Sequence, residues 1–289
     1  MKRLLISIIA FYIRCFPFPG KGQKYFLQLL KTAGLSGHYF IKKTKGGFLM
    51  KLNNTNHIDK EIFWYGAYER NESFTFIQFL NPGAVCIDVG ANTGYYSLMS
   101  AAHQPHCMVY AFEPASEMFK KLTENSALNG FKKITAVQKG VSNRSTKKQL
   151  FISGDDNTGM SSLSAAENAT GKIEMIEVVS LDEFVEQKQI TGISIIKIDV
   201  EGAEIEVLEG MKTVITSFRP LVAIEINAEI QGRFGQSINS IYSFMQERNY
   251  IAYEVIAVGC LKPVLSNKDC DLAFFIHEEA RLPSSIKII

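Results

Sequence analysis

The chain has 289 residues, 46% hydrophobic and 21% charged, with 21 Gly, 8 Pro and a net charge of +2. This composition excludes disordered, collagen-like and coiled-coil chains, and the length allows one large domain or two small ones with real cores. Five Cys, an odd count with Cys86 and Cys107 inside apolar runs, argue for a reduced, cytoplasmic protein over a disulfide-stapled secreted module.

Charge is unevenly spread. Residues 1–50 hold nine Lys or Arg and no acid, whereas the other 239 residues carry 22 basic and 29 acidic groups. Such a basic front favours a negatively charged partner: a membrane surface, a nucleotide-linked substrate or a nucleic acid. Residues 4–13 form an apolar run between Arg3 and Arg14, about half the roughly 20 residues that a spanning helix needs. No small-x-small cleavage site follows it, so a signal peptide is not expected. The run is expected to pack on the body or to make a peripheral contact at the inner face of a membrane. A breaker at Pro17-Phe18-Pro19-Gly20, a helix near 24–32 and short strands around 39–52 complete an N-terminal cap over residues 1–80.

From Asn81-Pro82-Gly83 onward, to residue 289, apolar runs alternate with helical periodicity, the signature of βα units on a parallel sheet. The runs predict strands at 85–89, 108–112, 134–137, 195–200 and 221–226. Val207, Leu208, Met211, Val214 and Ile215 make one helical apolar face. Runs at 252–258 and 272–276 flank a turn-rich segment with no room for a helix and are expected to pair antiparallel. An apolar pair at 148–153 and 174–179 flanks a polar tract, 154–171, suited to a lid or a sugar-contacting surface.

The first βα unit reads Val85-Cys86-Ile87-Asp88-Val89-Gly90-Ala91-Asn92-Thr93-Gly94. Glycines at this turn let backbone approach a ligand, and open α/β sheets bind nucleotides there. Asn92 stands where the dehydrogenase fingerprint requires its second glycine, which disfavours a dinucleotide. The next strand ends in Glu113, 25 residues after Asp88, placed to accept both ribose hydroxyls of an adenosine. Backbone near Val141, after the third strand, is expected to meet the adenine edge. An adenosine site without a pyrophosphate cradle fits S-adenosylmethionine, with Asp88 toward its cationic end.

The stretches 87–97, Ala111-Phe112-Glu113-Pro114 and Ile196-Lys197-Ile198-Asp199-Val200-Glu201-Gly202-Ala203-Glu204 resemble the FkbM family of methyltransferases. The likeness runs from about Tyr68 to Asn227. It implies a Rossmann-like class I methyltransferase fold: a mostly parallel seven-stranded sheet with a C-terminal antiparallel hairpin, behind the helical and strand cap. It also implies S-adenosylmethionine as cofactor, held by Glu69, Asp88, Gly90, Ala91, Asn92, Gly94, Glu113 and Val141, with Glu69 touching the cofactor or closing the pocket.

Methyl transfer to a hydroxyl needs alignment, exclusion of water and a base. Asp199, at the carboxyl edge of the fourth strand, is the first candidate for that base, with Glu201 second. Glu204 is expected in the first turn of a helix, where acids favour the dipole. His57 is the one histidine considered as an alternative base. Asp199, Glu225 and Asn227 offer oxygens in the order that some related enzymes use for Mg²⁺, but the spacing departs from that pattern and no metal is assigned. The expected acceptor is a sugar, glycan or hydroxyl-bearing metabolite, lipid- or nucleotide-linked. No nucleic-acid partner is expected. Methylation of RNA or protein, or a non-catalytic scaffold, are the alternatives.

Overall fold

The computed structural model describes residues 37–53, 57–153, 169–265 and 268–289. The apolar run 4–13, the helix expected near 24–32 and most of the polar tract lie outside them. Among the described residues no helix is long and apolar enough to cross a membrane.

An antiparallel pair, β1 (Tyr39–Lys43) and β2 (Leu49–Asn53), leads into α1 (His57–Tyr65) and α2 (Arg70–Phe76). Then come β3 (Val85–Val89), α3 (Tyr95–His103), β4 (Met108–Phe112), α4 (Ser116–Asn129) and β5 (Ile134–Val137). A separate three-stranded sheet, in the order β6-β8-β7, holds β6 (Gly140–Val141), β7 (Thr146–Ser153) and β8 (Ala169–Val179). After α5 (Leu181–Gln187) the chain returns to the main sheet with β9 (Ile195–Ile198), α6 (Glu204–Glu209), α7 (Lys212–Phe218) and β10 (Leu221–Ile226). It finishes with α8 (Ala228–Arg233), α9 (Ile238–Gln246), β11 (Tyr250–Ala257), β12 (Cys260–Pro263), β13 (Cys270–His277) and β14 (Lys287–Ile288).

The main sheet runs β14-β12-β11-β13-β10-β9-β3-β4-β5. Strands β5, β4, β3, β9 and β10 are parallel, and β13 inserts antiparallel between β10 and β11. This is the class I methyltransferase arrangement, with the expected antiparallel pairing of the last two long strands. Two short strands raise the count from seven to nine. Gly259, at φ 75°, turns β11 back into β12, and the C-terminal β14 pairs with that new edge. Lys262-Pro263 reads as turn in sequence, which hid the first of them.

The two-residue repeat of the strands builds two cores. Cys86, Ile195, Leu221 and Ala223 face Met50, Ile62, Phe63, Trp64, Tyr95 and Leu98, so β2, α1 and α3 cover one side. Ile87, Val89, Ile196, Ile198, Val222 and Ile224 face Val207, Leu208, Ile215, Ile241 and Met245 on the other. Each Val, Leu, Ile, Phe or Met among them contributes about 1.5–3 kcal/mol on burial. The single helical face expected at 207–215 is buried as predicted but carried by two helices. The chain breaks at Gly210, where a Cβ would lie 2.1 Å from the Ser142 carbonyl oxygen.

Candidate active site

Between the apolar side chains on the α3-covered face stand four charged ones. Asp88 lies on β3 in register with Lys197 on β9, and Lys197 pairs with Ala223 on β10. Alternation then places Asp199 and Glu225 on that same side of the sheet. Lys197 is 3% exposed. Its Nζ lies 2.8 Å from Asp199 Oδ2 and 4.9 Å from the centre of the Tyr96 ring. Burial opposes its charge, but Asp199, Asp88 and Glu69 outweigh that and hold the ammonium well above its ordinary range. Reciprocally, burial would raise Asp199, yet Lys197 keeps it below the usual carboxylate range.

The Gly90–Gly94 turn sits beside this group. The N–H groups of Gly90 and Ala91 both donate to the Phe112 carbonyl, at 3.0 and 2.9 Å. Gly90 (φ 79°), Asn92 (φ 51°) and Gly94 (φ 91°) all take left-handed backbone, a conformation that Asn tolerates and Gly adopts freely. At Gly94 a Cβ would lie 2.4 Å from Leu122 Cδ1, so the turn is closed from below by α4. Glu113, after β4, accepts from Asn92 N at 2.8 Å through Oε2 and from Ala115 N at 2.9 Å through Oε1. Burial pushes its carboxyl up to about 7 against those two bonds.

Asp88 is fully buried beneath the turn. Its Oδ2 accepts from Ser97 Oγ at 2.6 Å, and burial raises it while Lys197 opposes. Glu69 comes from the cap side: it precedes α2 with left-handed backbone at φ 42°, and Tyr96 OH donates to its Oε2 at 2.7 Å. Burial lifts Glu69 to about 7, with Lys197 pulling the other way.

Most of the residues expected from sequence are therefore gathered at one edge of the sheet. Glu201 (φ 55°) brings a carboxylate oxygen into a trio with Asp199 and Glu225, all within 4.8 Å of one another. Burial and then Asp199 push Glu201 up. Asn227 does not join them: it caps α8, its Oδ1 accepting from Glu229 N and Ile230 N. Glu204 turns inward and accepts from Val200 N and Gly202 N at 3.2 Å, tying down the loop that carries Asp199 and Glu201. Val141 places its side chain in the second core and pairs its backbone with Val179 on β8; at the neighbouring Gly140 a Cβ would lie 3.8 Å from Pro114 Cβ, one residue after Glu113. The side chain of His57 lies outside what is described. Sequence reading gave no role to Lys197 or Tyr96; the available signal was a lysine in the middle of an otherwise apolar parallel strand, two residues before an acid.

The donor set fits an adenosine-bearing cofactor. Each Glu113 oxygen takes one backbone N–H and keeps a lone pair for a ribose hydroxyl. Two buried oxygens at this turn, Asp88 Oδ1 and Thr93 Oγ1, have no hydrogen-bond partner among the described residues.

A family model described as the methyltransferase FkbM domain matches residues 88–252. The hexuronic acid methyltransferase AglP of Haloferax volcanii is 32% identical over 148 residues, covering 50% of this chain and 56% of that protein. The 31-O-demethyl-FK506 methyltransferase FkbM of Streptomyces tacrolimicus is 28% identical over 159 residues, covering 46% of this chain and 61% of that protein. The solved FkbM methyltransferase from Methylobacillus flagellatus superposes with a TM-score of 0.45 at 15% identity, covering 68% of this chain and 44% of that one. The chain thus matches little more than half the length of these two relatives. The matched segment holds the turn, Glu113 and the 196–204 stretch, and the chain belongs to the FkbM methyltransferase family.

Proposed function

We propose that this protein transfers a methyl group from S-adenosylmethionine to a hydroxyl oxygen of a sugar, glycan or related metabolite. The observation that carries this reading is Asp199, held ionised by Lys197 at 2.8 Å at the strand edge beside the Gly90–Gly94 turn. The bound cofactor would supply an electrophilic methyl on a sulfonium. Glu113 would hold the ribose hydroxyls, with the backbone of 90–94 alongside. Asp199 would accept the proton that the acceptor hydroxyl gives up on methylation. Its depressed pKa keeps it deprotonated at neutral pH, free to accept a hydrogen bond from the acceptor hydroxyl. Glu69 and Tyr96, joined by their hydrogen bond, wall the site from the cap side and exclude water. The family and the sugar-directed relative from Haloferax support a glycan acceptor; the basic front motivates a lipid- or nucleotide-linked one. The odd cysteine count supports work in the cytoplasm, and the basic front a contact with the inner face of a membrane.

The test is calorimetric titration with S-adenosylhomocysteine, followed by transfer of labelled methyl into a glycan extract. Micromolar binding that Glu113→Ala removes, with transfer that Asp199→Asn removes, is the expected result. A folded wild-type protein that binds no S-adenosylhomocysteine would sink the reading.

A further inference from the structure

The acids beside Asp199 are not equivalent to one another. Parallel pairing of Ala223 with Lys197 and of Ile224 with Ile198 leads on to place Glu225 next to Asp199. Across from Glu225 the antiparallel ladder slips: Ile224 pairs with Ala273 but Ile226 with Cys270, so two residues of β13 oppose one of β10. Bulges of this kind re-aim a side chain and collect beside functional sites. Carboxylate oxygens of Glu225 and Asp199 lie within 4.8 Å of each other, and the two carboxyls act on each other's protons in opposite directions. Two carboxylates in that contact need one proton between them, because like charges so close do not both ionise. Lys197 breaks the tie. Its ammonium lies against Asp199, so the negative charge settles on Asp199 and the proton on Glu225.

We propose that Glu225 is a positioning residue for methyl transfer, a neutral carboxylic acid that donates its O–H to Asp199 and, with Lys197, fixes that carboxylate toward the acceptor. The inference rests on the methyltransferase reading above. Burial first, then Asp199 and Glu201, push the Glu225 carboxyl far up, with Lys197 opposing. The other groups facing this corner are Tyr68 and Glu69 from the cap side and Arg233 from α8, whose charge acts on Glu201. A group that holds its proton only in the folded state makes the protein lose stability as pH rises above the ordinary carboxylate range.

The experiment compares the full-length wild type with Glu225→Gln and Glu225→Ala. Denaturant stability is measured from about pH 6 to about pH 9, S-adenosylhomocysteine affinity at neutral pH, and labelled methyl transfer into a glycan extract. Gln keeps the donated hydrogen bond but has no proton to lose. Relative to wild type its folding constant should therefore improve by up to about tenfold per pH unit across that range. Transfer should fall roughly tenfold or more in Glu225→Ala and be largely restored in Glu225→Gln, as expected when a hydrogen bond to a charged group is lost and regained. Parallel stability profiles for wild type and Glu225→Gln would overturn the proposal. So would a Mg²⁺ requirement that Glu225→Gln abolishes, because a metal ligand must be ionised. Loss of S-adenosylhomocysteine binding by the wild type itself would instead overturn the methyltransferase reading.

Discussion

Gly90 and Asp199 meet backbone to backbone across the β3–β9 seam: a Cβ built on residue 90 would lie 1.8 Å from the Asp199 carbonyl oxygen. The 90–94 turn and the loop that carries Asp199 are thus a single contact, and residue 90 also needs its left-handed φ of 79°. Gly90→Ala must push the two segments apart and strain the turn together. The expected loss is at least about 3 kcal/mol of stability, at the severe end for single substitutions. Urea titration checks it. A variant with the wild-type midpoint and wild-type S-adenosylhomocysteine affinity would show that the seam can open freely.

Glu113 should make cofactor affinity depend on pH. Ribose hydroxyls donate to a carboxylate, so the ligand favours the ionised form, whereas burial holds the free group's pKa up to about 7. Affinity should therefore weaken as pH falls below about 7, approaching tenfold per unit. Glu113→Gln should lose about 1.5–3 kcal/mol of binding at pH 8, the worth of a hydrogen bond to a charged group, and its remaining affinity should no longer vary with pH. Calorimetry at several pH values decides. Equal pH slopes for both proteins would assign the titration to another group.

The five parallel strands were legible because strands buried on both faces read as unbroken apolar runs. The turn at 90–94 and Glu113 were legible because glycine placement and a strand-end acid are local signals. Lys197 was not, since a charge inside an apolar strand acquires meaning only when Asp88 is paired beside it. The docking of β2 was equally hidden. Asn125 and Asn129 on α4 reach back to accept from Lys51 N at 2.9 Å and Leu49 N at 2.7 Å, contacts more than 70 residues apart in sequence. Glu69 was anticipated only through family resemblance. Its partner Tyr96 lies in a different element, and nothing in the spacing of the two residues announces the bond.

That bond gives a third prediction. Tyr96 OH donates to Glu69 at 2.7 Å, with Tyr96 buried and Glu69 half-buried. Tyr96→Phe keeps the ring over Lys197 but leaves the Glu69 carboxylate short of a donor, a loss of about 1–3 kcal/mol. Glu69→Gln alone should be milder, and the double variant should lose less than the two singles together. A double-mutant cycle by thermal unfolding measures the difference. Strict additivity would mean that the two side chains do not act on each other.

The last prediction concerns Lys197. The ammonium is the counter-charge for Asp199, Asp88 and Glu69, the three acids that raise it. Lys197→Met conserves most of the stem and removes the charge, which leaves buried carboxylates uncompensated. Breaking a buried pair from one side costs about 3–5 kcal/mol. The acids can escape part of that penalty by binding protons, and the sign of the pH effect follows. Without Lys197 the folded-state pKa of Asp199 loses what depresses it and those of Asp88 and Glu69, already raised by burial, climb further, so the variant binds more protons in its folded state than the wild type does. Its deficit relative to wild type should shrink as pH falls toward about 5 and grow as pH rises toward about 8. Lys197→Arg should recover little, because the flat guanidinium does not fit a site sealed by the Tyr96 ring and the neighbouring strands. Stability of the three proteins at both pH values is the measurement. A deficit that widens in acid would refute the assignment of Lys197 as the buried counter-ion.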